Sequence, residues 1–334
     1  MNDNEKISVC IPFYNLENYA SRCLTSVLNN TYRNLEVICV NDGSSDKTLE
    51  ILHKYERSDP RLIVIDKPNG GIVSARNTAI NAATGDFIAF IDGDDWIHHQ
   101  YFESLLLVQR KTNADVVVCD YVRCAGQEKE SLIDLSQINY QIKPLTCVLD
   151  DERTRSLIWG RLFSREIVFP IKGATGISLG EDTIFNLSFL CSKQNLMVAV
   201  LYEKLYYYYQ REGSLAHVIP HQCRIKVSRF FMDNFNEITG VQEKNVVLHE
   251  IARNIASYRY LQMFSPNQAE IRTDCQELHV FCRMHWGRVF PLRDKIKYSI
   301  FYHCPGLYRL FRIVTDPTML DWERAERKRQ QERK

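Results

Sequence analysis

The sequence predicts an α/β fold, with a mostly parallel sheet flanked by helices and a helical C-terminal subdomain after it. Three observations carry that expectation. Apolar runs begin at residues 7, 35, 62, 87 and 116, at intervals that fit a strand, a crossover helix and two loops. Stretches of helical spacing lie between them. Three of the runs end in polar residues of particular types, and open α/β sheets bind ligands at that edge.

The strands are expected at Ile7–Ile11, Leu35–Val40, Leu62–Ile65, Phe87–Ile91 and Val116–Cys119. Their unbroken apolar character suits strands buried on both faces. Helices are expected at Tyr19–Leu28, Thr48–Tyr55, Val73–Ala82 and Tyr101–Arg110, with Ser45 as the N-cap of the second. Residues 126–141 are polar and irregular. A helical pattern then spans Leu145–Phe163, followed by a passage containing Gly173, Gly176 and Gly180. Leu196–Tyr202 and Leu205–Tyr209 read as two more strands. Beyond Ser214 only helical spacing remains, as in Val227, Phe230, Phe231 and Phe235, so a boundary is expected near residue 215.

Composition excludes some classes. With 45% hydrophobic and 25% charged residues in 334, the chain reads as globular. A net charge of 42 − 41 = +1 singles out no nucleic-acid partner. The 11 cysteines are scattered, with no CxxC pair and no secretory leader, which implies free thiols in a reducing cytoplasm. No apolar run approaches the ~20 residues that a spanning helix needs.

The candidate chemistry lies at strand ends. The first strand leads into Pro12-Phe13-Tyr14-Asn15, the second into Asn41-Asp42-Gly43-Ser44-Ser45-Asp46 and the fourth into Asp92-Gly93-Asp94-Asp95. In a parallel sheet these converge on one crevice. Asp-x-Asp there is a hard-oxygen site suited to Mg²⁺ or Mn²⁺, with ligand phosphates completing the shell. Asp94, Asp92 and Asp95 are the candidate ligands. Gly43 permits a sharp turn into the second helix. Asn69-Gly70-Gly71 follows the third strand, and Arg76 on the next helix is either a phosphate contact or one end of a structural ion pair. Glu181-Asp182 is either a helix start favoured by its dipole or a general base taking a proton from a hydroxyl.

Taken in order, these motifs resemble family 2 (GT-A fold, Rossmann-like) glycosyltransferases of bacterial cell-surface polysaccharide synthesis. The match runs through Ile7–Asn15, Tyr32–Glu36, Asn41–Asp46, Asn69–Gly71, Ser74–Asn77, Phe90–Trp96, Trp159–Phe163 and Gly180–Asp182. It covers roughly residues 1–215, with 1–120 as the nucleotide-sugar half and 121–215 as the acceptor half. The resemblance implies an inverting, metal-dependent hexosyl transfer from a nucleotide-sugar, most often a UDP-sugar, to a hydroxyl of a glycan or lipid-linked acceptor. It places Pro12, Tyr14 and Glu17 along the nucleotide, Asp42 on the uracil and Asp92 on nucleotide or ribose. Asp94, with Asp95, would hold the metal, and Asp182 would be the base. Gly93, where serine or alanine is more usual, is expected to change little. Trp159 and the loop Gly173–Gly180 are the acceptor candidates, although Trp159 also suits a core. A nucleotide-sugar-binding pseudoenzyme or assembly partner is the alternative, disfavoured by the intact carboxylates. A nucleotidylyltransferase would need a Gly- and Arg-rich loop after the first strand, and a dehydrogenase a GxGxxG there.

The C-terminal third stands on its own residues. Arg283–Arg312 holds seven Lys/Arg, one Asp and seven aromatics. Leu307, Leu310, Phe311 and Val314 form a stripe at i, i+3, i+4, i+7. This pattern predicts a membrane-surface segment, peripheral on the inner face of the plasma membrane, against the alternative of a helix packed on the catalytic domain. Cys275, His279, Cys282 and His285 follow one helical stripe and are expected to be buried, since zinc ligands come as tight pairs from two elements. Homo-oligomerisation is left open.

Overall fold

The computed structural model describes residues 4–124, 131–144, 157–171, 180–190, 192–193, 196–210, 222–238, 241–261, 268–285 and 292–315. The chain divides into two compact units, Met1–Val218 and Ile219–Lys334.

The first unit is built on one nine-stranded sheet. Strands β1 (Ile7–Phe13), β2 (Leu35–Asp42), β3 (Leu62–Lys67) and β4 (Phe87–Phe90) alternate with helices α1 (Ala20–Leu28), α2 (Thr48–Ser58) and α3 (Ile72–Ala82). β1 pairs in parallel with both β2 and β4, and β2 with β3. Every residue of β1, β2 and β4 is buried, which accounts for their unbroken apolar runs. α1 buries Ala20, Cys23, Leu24, Val27 and Leu28, the i, i+3, i+4, i+7, i+8 stripe of a helix lying on a sheet.

Then come β5 (Trp96–Ile97), α4 (Tyr101–Thr112), β6 (Val116–Cys124), β7 (Tyr140–Pro144) and β8 (Arg161–Ser164). α5 (Glu181–Leu190) and β9 (Met197–Tyr209) complete the unit. The strand order is β3-β2-β1-β4-β8-β6-β9-β5, with β7 against β9. β8 is antiparallel to both β4 and β6, so it separates two parallel blocks.

Several local expectations change. Ile158–Phe163 does not end a helix: its Arg161–Phe163 part enters β8, a strand wedged between two others, and pairing overrides helical spacing. The helical part of that expectation at 145–156 lies outside the described residues, as does the loop at 172–179. The two strands expected at 196–209 are one, because β9 spans two sets of partners along its length. Ser45 is not the N-cap of α2. The Asp46 carboxylate instead accepts the Thr48 N–H at 3.0 Å.

In the second unit the described residues form the helices α6 (Gln222–Asp233), α7 (Val241–Leu261), α8 (Gln268–His285), α9 (Leu292–His303) and α10 (Pro305–Thr315). Cys275, His279 and Cys282 are buried as one stripe of α8, with the His279 ring stacked 3.8 Å from that of Tyr302. Burial, with His303 and Arg283 nearby, pushes the His279 imidazole down to about 4. Among the described residues no helix is long and apolar enough to cross a membrane.

Candidate active site

The loops after β1 and β2 are laced together. The Asn15 carboxamide oxygen accepts the Ser45 N–H at 2.8 Å, and the Ser44 hydroxyl accepts the Asn15 N–H at 3.0 Å. Glu17 accepts the Lys47 N–H at 3.0 Å and its own N–H donates to Asp46 at 3.0 Å. The left-handed Asn15 (φ 51°) turns the chain so that these bonds can form. Burial alone would raise the Asp46 carboxyl, but bonds from Thr48 and Glu17 outweigh it and hold the group low. Pro12 is buried and Tyr14 is 51% exposed beside the lacing. Glu17 is thus tied to the start of α2.

Asp42, at the end of β2, holds the loop after β3. Its carboxylate accepts the N–H groups of Gly70 at 3.0 Å and Gly71 at 2.8 Å and pairs with Lys67 at 2.5 Å. Gly43 (φ 72°) is required next to it, since a Cβ there would lie 2.7 Å from the Asn69 nitrogen. Asn69 itself is exposed.

The end of β4 is the centre of the site. The Asp92 carboxylate accepts Arg76 Nη2 at 3.0 Å. Arg76 Nη1 reaches Asp182 at 2.5 Å and lies 3.7 Å from Glu181. Arg76 is only 2% exposed, so it is a buried hub joining residues from β4 and α5. Burial would lower its basicity, but Asp182, Asp92 and Glu181 together raise it. Asp182 also accepts the backbone N–H of Ile158. Burial pushes the Asp182 carboxyl up against the opposing pull of Arg76. Burial and the neighbouring Asp182 push Glu181 up to about 8.

The Asp92–Asp95 turn is pinned from several sides. Asp95 N–H donates to the Asp92 carbonyl at 3.0 Å, and Arg22 donates to the Asp94 carbonyl at 2.9 Å. Arg22 in turn lies over Trp96 at 3.9 Å and Tyr209 at 4.4 Å, a cation–π clamp. The Tyr206 hydroxyl accepts the Asp92 N–H at 3.1 Å and donates to Asp95 at 2.7 Å. At Gly93, where the resemblance makes serine or alanine more usual, the turn is packed closely. A Cβ there would lie 2.6 Å from the buried Phe13 ring.

Two further expectations are corrected by burial. Asp95 is 1% exposed and its oxygens are taken by Tyr206 and, at 2.8 Å, by the Tyr209 N–H. Burial, with Asp94 and Asp92 beside it, raises its carboxyl well above the usual range. It supports the turn and does not face a ligand. Trp159 is 5% exposed and stacks at 4.4 Å on Tyr206 and 5.4 Å on Tyr208, so it backs the wall behind the turn.

Asp92 and Asp94 remain as half-buried carboxylates on one turn. Among the described residues no cluster of three or more His, Cys, Asp or Glu could hold a metal ion. An oxygen pair of this kind fits Mg²⁺ or Mn²⁺, which are held by one or two carboxylates with water and substrate phosphate supplying the rest.

Arg22, Tyr206 and Arg161 were not singled out by sequence. Tyr206 lies in the run Tyr206–Tyr209, whose composition signals a strand and nothing more. Arg161 is 1% exposed, and among the described residues none of its three guanidinium nitrogens has a hydrogen-bond partner. Burial pushes it down to about 10, partly offset by Asp182.

A mostly parallel sheet with laced strand-end loops, an Asp-x-Asp turn and a buried carboxylate pair near it is the arrangement of the GT-A fold. Residues 8–160 match the sequence signature described as Glycosyl transferase family 2. The chain is similar to Glycosyltransferase GlyA of Streptococcus pneumoniae serotype 4, 33% identical over 226 residues, covering 64% of this chain and 32% of that protein. It is also similar to Uncharacterized glycosyltransferase EpsJ of Bacillus subtilis, 31% identical over 219 residues, covering 64% of this chain and 63% of that protein. In each case the chain spans less than two thirds of the relative. The fold is shared with S. aureus TarS 1-349 in its complex with UDP-GlcNAc, with a TM-score of 0.55 at 18% identity, covering 83% of this chain and 90% of that one.

Proposed function

We propose that the chain is an inverting glycosyltransferase that moves a sugar from a nucleotide-sugar to a hydroxyl of a glycan or lipid-linked acceptor. The observation that carries the reading is Arg76, which ties Asp182 to Asp92 within one buried cluster. The ion pairs of Arg76 serve folding, and they also bring a strand-end aspartate and a distant helix-start carboxylate to one place. A donor-side group and an acceptor-side base have to meet in this way.

Pro12, Tyr14 and Glu17 line one side of the nucleotide, with Asn69 on the other, in the loop that the buried Asp42 carboxylate holds. A UDP-sugar is the first donor to test, because TarS, which shares the fold, was crystallised with UDP-GlcNAc. A divalent cation on Asp94 and Asp92 would neutralise charge on the departing diphosphate. Arg76 turns from Asp182 toward that diphosphate as the donor enters. Asp182, freed from its partner, then takes the proton from the acceptor hydroxyl as that oxygen attacks the anomeric carbon from the opposite face.

The test is calorimetry with UDP, GDP and CDP, with and without Mn²⁺, on the parent and two variants. Asp94→Ala should lose metal-dependent nucleotide binding, whereas Asp182→Asn should bind normally and lose transfer. Equal loss of binding in both variants would remove the assignment of separate roles.

A further inference from the structure

We propose that the outer faces of α9 and α10 form a docking surface for an anionic lipid bilayer. The inference concerns the C-terminal unit and stands whether or not the transferase reading holds.

Leu292, Ile296 and Ile300 recur every four residues on α9, hence on one face, and they are 71%, 52% and 42% exposed. The packed side of the same helix is a different one. There Phe301 is buried, with its ring 5.3 Å from that of Tyr308, and Tyr298 meets His249 of α7 at 5.9 Å. α10 repeats the arrangement, burying Tyr308 while Leu307 and Leu310 are 47% and 56% exposed. A helix of a soluble protein normally turns its branched aliphatic residues inward and its charges outward. These two helices turn them outward as well.

Basic residues flank the stripe. Arg293 and Lys295 lie on either side of it along the helix wheel, followed by Lys297 and, on α10, Arg309. Arg283–Arg312 contains a single acidic residue, Asp294. An apolar strip edged by cations is complementary to acyl chains beneath phosphate headgroups. It is not complementary to a second copy of itself, because a self-paired contact would oppose cation to cation. Nor does it suit a nucleic acid, whose backbone offers the strip nothing apolar. α9 has 12 residues and α10 has 11. At ~1.5 Å per residue neither reaches across a ~30 Å hydrocarbon core, so both lie in the plane of the interface.

The experiment is co-sedimentation of the full chain with vesicles of phosphatidylcholine alone and of phosphatidylcholine mixed with phosphatidylglycerol. Binding should be at least ten-fold stronger to the mixed vesicles and should weaken with salt. Ile296→Glu with Ile300→Glu should abolish it while leaving the far-ultraviolet circular dichroism and the oligomeric state unchanged. Lys295→Gln with Lys297→Gln should weaken it by about five-fold per charge removed. Equal binding to both vesicles would overturn the proposal, as would binding untouched by the Ile296/Ile300 pair. A parent that self-associates through this face, and dissociates in that variant without any vesicle binding, would overturn it in favour of a dimer interface.

Discussion

Arg76→Met is the perturbation that asks most of the site. Arg76 is 2% exposed and serves Asp182 at 2.5 Å, Asp92 at 3.0 Å and Glu181 at 3.7 Å. Methionine keeps much of the volume and removes the charge. Breaking a buried pair by deleting one partner costs about 3–5 kcal/mol, because the other charge is stranded. Here more than one carboxylate loses its buried partner, so the loss should fall at the upper end of that range. The pH dependence follows in sign. Without the cation, the buried Asp182 carboxyl takes a proton more readily folded than unfolded. A carboxyl raised in this way stabilises the fold below its unfolded pKa, and that gain is lost as pH rises through the folded one. The deficit of Arg76→Met should therefore be largest near pH 8 and shrink towards the ordinary carboxyl range of about 4. Denaturant unfolding of parent and variant at several pH values measures it. Adding Asp182→Asn to Arg76→Met should recover part of the loss, since contacting groups are not additive. A variant within about 1 kcal/mol of the parent at every pH would show that Arg76 carries no buried charge cluster, and the reading of the site would fail with it.

Gly93→Ala should destabilise the fold by about 1–3 kcal/mol, because its Cβ would press on the buried Phe13 ring, and Phe13→Leu in the same chain should restore part of it. A neutral Gly93→Ala by thermal unfolding would refute the packing argument. Glu181→Gln imitates the protonated group, so it should keep donor binding at neutral pH. The parent should lose stability as pH rises from 4.5 towards about 8, where Glu181 is forced to ionise, and the variant should lack that component. Identical melting curves against pH for the two would contradict a raised Glu181.

Much of the first unit was legible because its signals are local. The strands at 7, 35, 62 and 87 are unbroken apolar runs, and a strand buried on both faces can hardly be written otherwise. What was not legible came from pairing over long distances. Arg161–Ser164 is four residues long and becomes a strand only because β4 and β6 flank it. The same limit applies to the site. Asp92, Asp94 and Asp182 stand out as carboxylates at element ends, yet no spacing reveals that Arg76 lies between them. Nor could sequence separate Asp94 from Asp95. Burial and two donors from β9 remove Asp95 from the ligand face, and both donors lie more than 100 residues away along the chain.

Those long-range contacts explain why the polar turn can be held rigid at the edge of an apolar sheet. β5 pairs with β9 right after the turn, Trp96 opposite Tyr207 and Ile97 opposite Tyr206. That register brings the Tyr206 hydroxyl under the turn, where it accepts from Asp92 and donates to Asp95. Arg22 closes the other side through the Asp94 carbonyl and the rings of Trp96 and Tyr209. The backbone of all three aspartates is thus fixed before any ligand arrives, and Asp95 has both oxygens engaged. Like charges this close would otherwise repel. The ion pair of Asp92 with Arg76 and the bonds that Asp95 accepts from Tyr206 and Tyr209 offset that repulsion. Preorganisation of that kind lowers the ordering cost on binding, and it is achieved here by residues that need not touch the ligand at all.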